Sequence, residues 1–179
     1  MPAMPMAQKC GTPEPQRAKY YGKYRGRVVD NDDPQHRGRL RVQVPQVLDN
    51  SEVWAMPCVP YAGAGTGLFA LPEKGTGVWV EFEAGNPSYP IWTGCFWNKD
   101  DISDSQPSVK FFKTKKFKLT IDDSVGEITL ENDSGTQVVL DAQGLHFKGS
   151  NVTAEATGGK KTELTVRSFS VNDGAFEVL

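Results

Sequence analysis

Residues 118–144, KLTIDDSVGEITLENDSGTQVVLDAQG, decide the fold of this chain. Gly126, Gly135 and Gly144 recur every nine residues and close three segments. Within the segments, apolar and polar residues alternate as Leu119/Ile121, Ile128/Leu130 and Val138/Leu140. Period-two alternation marks a strand with one buried face, so each unit is a short strand followed by a glycine turn. Two buried aliphatic side chains contribute roughly 3–6 kcal/mol, whereas ordering nine residues costs about 9–18 kcal/mol. The unit therefore has to share its burial. A single-chain solenoid drawn from residues 117–179 would have only a few rungs and exposed ends. Several chains winding together give a common apolar axis with few free edges. The repeat predicts an obligate oligomer, most simply a homotrimer, with Leu119, Ile121, Ile128, Leu130, Val138, Leu140, Leu145 and Phe147 on the axis.

Working outward, the 18 glycines and 12 prolines separate short runs rich in Val, Thr, Phe, Tyr and Trp, and no long segment has helical periodicity. The composition is all-β. Residues 1–18 hold four prolines and no alternation, and read as an extended arm. Residues 19–98 carry five expected strands: 20–30, 39–44, 53–61, 78–83 and 89–96. The third, interrupted by Pro57 and Pro60, reads as an edge strand. With one long glycine-rich connection at AGAGTGLFALPEKGTG, this pattern suits a small barrel of the OB type. Residues 99–118 read as a polar joint ending in a lysine cluster, and residues 119–179 as the repeat unit shared between copies. In that cluster, Lys110, Lys113, Lys115, Lys116 and Lys118 should splay outward with Phe111, Phe112 and Phe117 packed inward. Acidic residues of a neighbouring chain are available to pair with the lysines.

Charge is unevenly distributed. Residues 1–118 carry 16 basic against 12 acidic side chains, and residues 119–179 carry 4 against 10. An acidic tail repels phosphates, which argues against nucleic acid as a partner. The rival reading is an OB-fold nucleic-acid-binding module, resting on the basic residues between 17 and 41 and on Tyr20, Tyr21 and Tyr24. A third is a carbohydrate-binding fibre. Cys10, Cys58 and Cys95 match no zinc spacing and read as reduced thiols. His36 sits in an Asp/Pro/Gly turn, and His146 lies opposite Leu145 and Phe147 on a solvent face. Neither these histidines nor the doublets Asp100/Asp101 and Asp122/Asp123 have catalytic or calcium-loop spacing. No enzyme activity, cofactor or metal is expected. The start of the chain shows neither a signal sequence nor a membrane span.

Three motifs carry a family likeness: D-x-x-D-P-x-x-x-G-R-L-R-V at residues 30–42, P-x-x-G-x-x-V-x-V-x-F at 72–82 and G-N-P-x-x-P-x-W-x-G at 85–94. Residues 22–97 resemble the OB-fold domain of phage baseplate spike proteins, baseplate assembly protein V among them. Related domains head the valine-glycine repeat (VgrG) spikes of type VI secretion and the spikes of extracellular contractile injection systems. The resemblance implies an OB-fold barrel followed by an intertwined trimeric β-helix needle, the repeat falling where the needle should be. It also implies a structural, membrane-piercing central spike assembled in the bacterial cytoplasm, touching a target membrane only on injection. Baseplate hub and tube proteins are the implied partners, with Arg39 and Arg41 as the expected contact. Larger members insert a lysozyme domain or append an effector, and this chain has neither. Some spikes end in a His-x-His iron site, which His36 and His146 do not form. A separate PAAR-like conical tip protein docking on Phe176, Val178 and Leu179 is therefore expected.

Overall fold

The computed structural model describes residues 18–103 and 105–178. They form two compact units that divide between Ile102 and Ser103. Cys10, Leu179 and all but the last residue of the expected arm lie outside the described residues.

The first unit contains β1 (Tyr24–Asp30), β2 (Leu40–Gln43), the one-turn helix α1 (Pro45–Leu48), β3 (Glu52–Pro57), β4 (Ala62–Gly63), β5 (Thr66–Gly67), β6 (Gly77–Phe82), a 3₁₀ turn (Glu83–Gly85) and β7 (Pro90–Phe96). Five strands close a barrel in the order β1-β2-β3-β7-β6, and β6 returns to β1 through Tyr24↔Val80 and Gly26↔Val78. Alternation builds the interior: Leu40, Val42 and Val44 from the β2 segment meet Val78, Val80 and Phe82 of β6, with Val28, Ala55 and Trp92 completing the core. Tyr20 and Tyr24 close one end with their rings 6.2 and 5.6 Å from that of Phe82. Gly77 is required by close approach, since a Cβ there would meet the Phe96 ring at 2.5 Å.

The third strand is not an edge. It lies between β2 and β7, pairing parallel with β7 over only Met56↔Ile91 and Pro57↔Trp92. Pro57 is tolerated because it is the last residue of β3, and the ladder resumes with Cys58 N–H donating to the Trp92 carbonyl at 2.9 Å. Closing the barrel removes the edge that the prolines suggested.

The second unit is a chain of antiparallel hairpins. A five-stranded meander comprises β8 (Val109–Lys113), β9 (Phe117–Asp122), β10 (Glu127–Asn132), β11 (Gln137–Asp141) and β12 (Gly144–Lys148). A four-stranded one comprises β13 (Asn151–Ala156), β14 (Lys160–Thr165), β15 (Phe169–Val171) and β16 (Phe176–Val178). Each turn of the nine-residue repeat opens on an Asx side chain. Asp122 Oδ1 accepts from Ser124 N at 2.9 Å, Asn132 Oδ1 from Ser134 N at 3.0 Å and Asp141 Oδ1 from Gln143 N at 2.8 Å. Gly126 and Gly135 supply positive φ, 71° and 83°, where these turns re-enter the sheet. The segment 99–118, expected as a joint, is divided. Its lysine-rich end is β8, a short turn and the start of β9, because Phe112↔Leu119 and Lys110↔Ile121 place it in the ladder. Consecutive charges had masked its alternation.

Candidate functional site

Cross-strand register collects the apolar residues of the first meander on one face. Phe112↔Leu119↔Leu130↔Val138↔Phe147 form one row, and Ile121↔Ile128↔Leu140↔Leu145 the next. All eight residues expected on the axis are therefore brought to a single surface. Among the described residues of this unit nothing covers it: seven of them are 39% to 58% exposed and Val138 is half-buried. Covering this face contributes about 1 kcal/mol per half-exposed side chain, in keeping with the ~1.5–3 kcal/mol of full burial.

The opposite face is polar. Thr120, Thr129, Val139 and His146 align on it, beside a second row of Lys118, Glu131, Gln137 and Lys148. His146 Nε2 lies 3.2 Å from Asp141 Oδ1. The Asp141 carboxyl sits below its usual range because Gln143 N–H donates to it, with His146 adding to the effect. His146 thus holds a turn on the solvent side, as its place in the alternation implies. Phe111 falls on this polar face, with the Lys118 ammonium 5.7 Å from its ring centre, rather than packing inward with Phe112.

The second meander repeats the arrangement. Val152, Leu164, Phe169 and Val178 form one row, and Ala154, Thr162, Val171 and Phe176 another. Leu164, Phe169, Val171, Phe176 and Val178 stand out by their alternation, whereas Val152, Ala154 and Thr162 do not, because β13 carries only Val152 and alanines on its apolar side. Phe176 and Val178 lie on the last strand, half exposed, with the Phe176 ring 6.5 Å from that of Phe169. They are placed as a terminal apolar surface.

The two arginines expected to meet the hub differ. Arg39 is committed to Asp33, its Nη2 lying 2.7 Å from Oδ1, and both side chains are nearly buried. Asp33 also accepts from the backbone N–H groups of Gln35, Arg37 and Arg39. The guanidinium, followed by these amides, holds the Asp33 carboxyl far below the usual range despite its burial. Arg39 therefore fastens the turn between β1 and β2. Arg41 is more open, 3.6 Å from Asp30 and 3.3 Å from Glu52, and lies near the Trp54 ring. Other basic residues of this region are engaged within the barrel. Lys23 pairs with Glu81 at 2.8 Å, and Arg25 stacks on Trp79 and Phe96 at 4.9 and 4.6 Å. Tyr20 and Tyr24 pack on the core, so the stacking platform of the nucleic-acid reading loses two of its three tyrosines.

Among the described residues, no group of three or more His, Cys, Asp and Glu side chains could hold a metal ion. No helix among them is long and apolar enough to cross a membrane.

Two family models match the chain. Residues 24–97 match the type VI secretion system/phage-baseplate injector OB domain. Residues 108–177 match the phage baseplate V C-terminal trimerisation domain. No match to an individual curated protein is found. The boundaries follow the structure, the first spanning the barrel from β1 to the end of β7 and the second running from just before β8 into β16. The OB-domain match thus falls on the closed barrel, and the trimerisation-domain match on the unit with the open apolar face. The chain belongs to the phage baseplate spike family related to the VgrG spikes of type VI secretion, as a homotrimeric structural component of a baseplate injector.

Proposed function

We propose that the chain is the central spike of a contractile injection apparatus, with the barrel joining tube and hub and the second unit forming a needle that carries axial force. The observation that carries the reading is the uncovered stripe on the first meander. It is two side chains wide, about 7 Å along a strand, and five strands long, about 19 Å across the sheet. A stripe of those proportions fits lengthwise along a shared axis, so the strands run across the axis and stack along it. Three such faces enclose a dry interior that no single copy possesses. Bending the rod then means breaking ladder hydrogen bonds and the shared interior together.

On this reading the protein acts mechanically, without catalysis or a cofactor. It assembles in the bacterial cytoplasm into a tail or injection particle and meets the target membrane only on firing. Phe176 and Val178 present the surface for a separate conical tip protein, and Arg41 is the better placed of the two arginines for a hub or tube contact. The test is Ile128→Asp. Ile128 sits at mid-sheet between Ile121 and Leu140, so three carboxylates would face one another in an apolar interior. Native mass measurement should show a trimer for the natural chain and monomer or aggregate for the variant. An unaltered trimer with unchanged melting would refute the axis.

A further inference from the structure

The charges of the first meander are sorted along its strands. One end comprises the β8–β9 turn, the β10–β11 turn and the exit of β12. It holds Lys113, Lys115, Lys116, Lys118 and Lys148 against Glu131 and Asp133, a net +3. The other end comprises the entry of β8, the β9–β10 turn and the β11–β12 turn. It holds Asp122, Asp123, Glu127 and Asp141 against Lys110, a net −3. Between them the strand centres, Phe111, Phe112, Leu119, Thr120, Thr129, Leu130, Val138 and Val139, carry no charge.

The pairs Lys110–Asp123 and Lys116–Asp133 each join opposite charges at the same end and so leave the separation in place. Strands of five or six residues hold the two ends roughly 17–20 Å apart, beyond the ~8 Å screening length at physiological salt. Each end therefore acts mainly on whatever adjoins it from outside. The second meander has no such polarity. Glu155, Lys160, Lys161 and Asp173 balance at one end, Arg167 stands at the other, and Glu163 and Glu177 fall within strands β14 and β16.

A threefold ring is heterologous by symmetry, so each junction joins two different patches. With apolar faces inward and strands across the axis, those patches are the two strand ends. We propose that the lysine-rich end of one copy docks on the acidic end of the next, and that this charge match sets the head-to-tail order and register in which the three copies close. The proposal rests on the trimeric reading above and adds the identity of the junction. Apolar contact supplies most of the affinity, while the charges choose which edges meet.

Three variants of the full chain test it. K113E/K148E changes the basic end from +3 to −1, and D123K/E127K changes the acidic end from −3 to +1. The third carries all four substitutions. Sedimentation and native mass are followed against protein concentration and NaCl. Each two-site variant should need roughly 10- to 100-fold more protein to trimerise, given about 0.2–1 kcal/mol per exposed pair over three junctions. The four-site chain should return close to the natural value. Mixing the two two-site variants should recover only part of the loss, because an odd ring always keeps one like-signed junction. Full recovery on mixing would indicate an even ring and overturn the proposal. Two-site variants that trimerise like the natural chain, or a four-site chain no better than either, would equally overturn it while leaving the trimer standing. A natural chain that stays monomeric at every concentration would instead sink the trimeric reading itself.

Discussion

The two units solve the problem of burial in opposite ways. The barrel closes on itself and removes nine apolar residues from water, Leu40, Val42, Val44, Ala55, Val78 and Val80 completely. The hairpin unit, with nearly as many residues, buries none of its described side chains. Both obey the same alternation, so sequence pattern alone does not separate them. The difference is topological: pairing β6 with β1 folds one sheet around its own apolar face, whereas a meander leaves that face open for other copies. Among the described residues of the second unit that face has no partner, which agrees with its match to a trimerisation domain.

This contrast can be attacked from both sides. All four tryptophans, Trp54, Trp79, Trp92 and Trp97, lie in the first unit, so their fluorescence reports the barrel separately from assembly. Ile128→Asp should have the largest effect, abolishing the trimer while leaving tryptophan emission native-like. Loss of both signals together would show that the barrel depends on assembly. Leu40→Ala should do the reverse, costing the barrel about 2–4 kcal/mol through lost burial and a cavity. Its fluorescence-detected melting should fall while the native mass stays trimeric.

Asp33→Asn should have a smaller effect, confined to the barrel and dependent on pH. The Asp33 carboxyl titrates lower in the folded chain than in the unfolded one, so its contribution is complete above the unfolded value near pH 4. It is lost as pH falls from there toward the folded value. The natural barrel should therefore lose stability in acid below about pH 4, and the variant should start lower at neutral pH and show a flatter acid response. Equal slopes in fluorescence-monitored acid titrations would assign the loop's stability elsewhere. The smallest effect on stability should come from Phe176→Ser on the last strand. Trimer and barrel should melt as before, while co-purification with a conical tip protein fails. Retained co-purification would place the tip elsewhere.

Much of this architecture is legible in the residues because one-sided burial imposes a period of two. Leu40, Val42 and Val44 announce the barrel wall, and the eight residues of the open face could be named before any register was known. Register is what the linear pattern lacks. Phe111 and Phe112 are both aromatic neighbours of lysines, and only the pairing with Thr120 and Leu119 assigns them to opposite faces. Pro57 signals an edge because local chemistry does not reveal that a distant strand will close the barrel. Arg39 is expected at a hub contact, yet the turn folds Asp33, six residues away, back on it. The sorting of charge to the two ends of the meander was equally hidden, since lysines at 113–118 and at 148 become neighbours only once the strands are stacked.

The self-capped turns of the meander bear on how the molecule is made. Asp122, Asn132 and Asp141 each tie a hairpin whose strands follow one another almost immediately in sequence, and such local contacts are quick to form. The barrel must instead wait for Val80 to find Tyr24, a far longer chain closure. Hairpins therefore zip early on each newly made copy, and the slow events in producing the trimer are sealing the barrel and the encounter of three chains, the latter accelerating with concentration as the former does not.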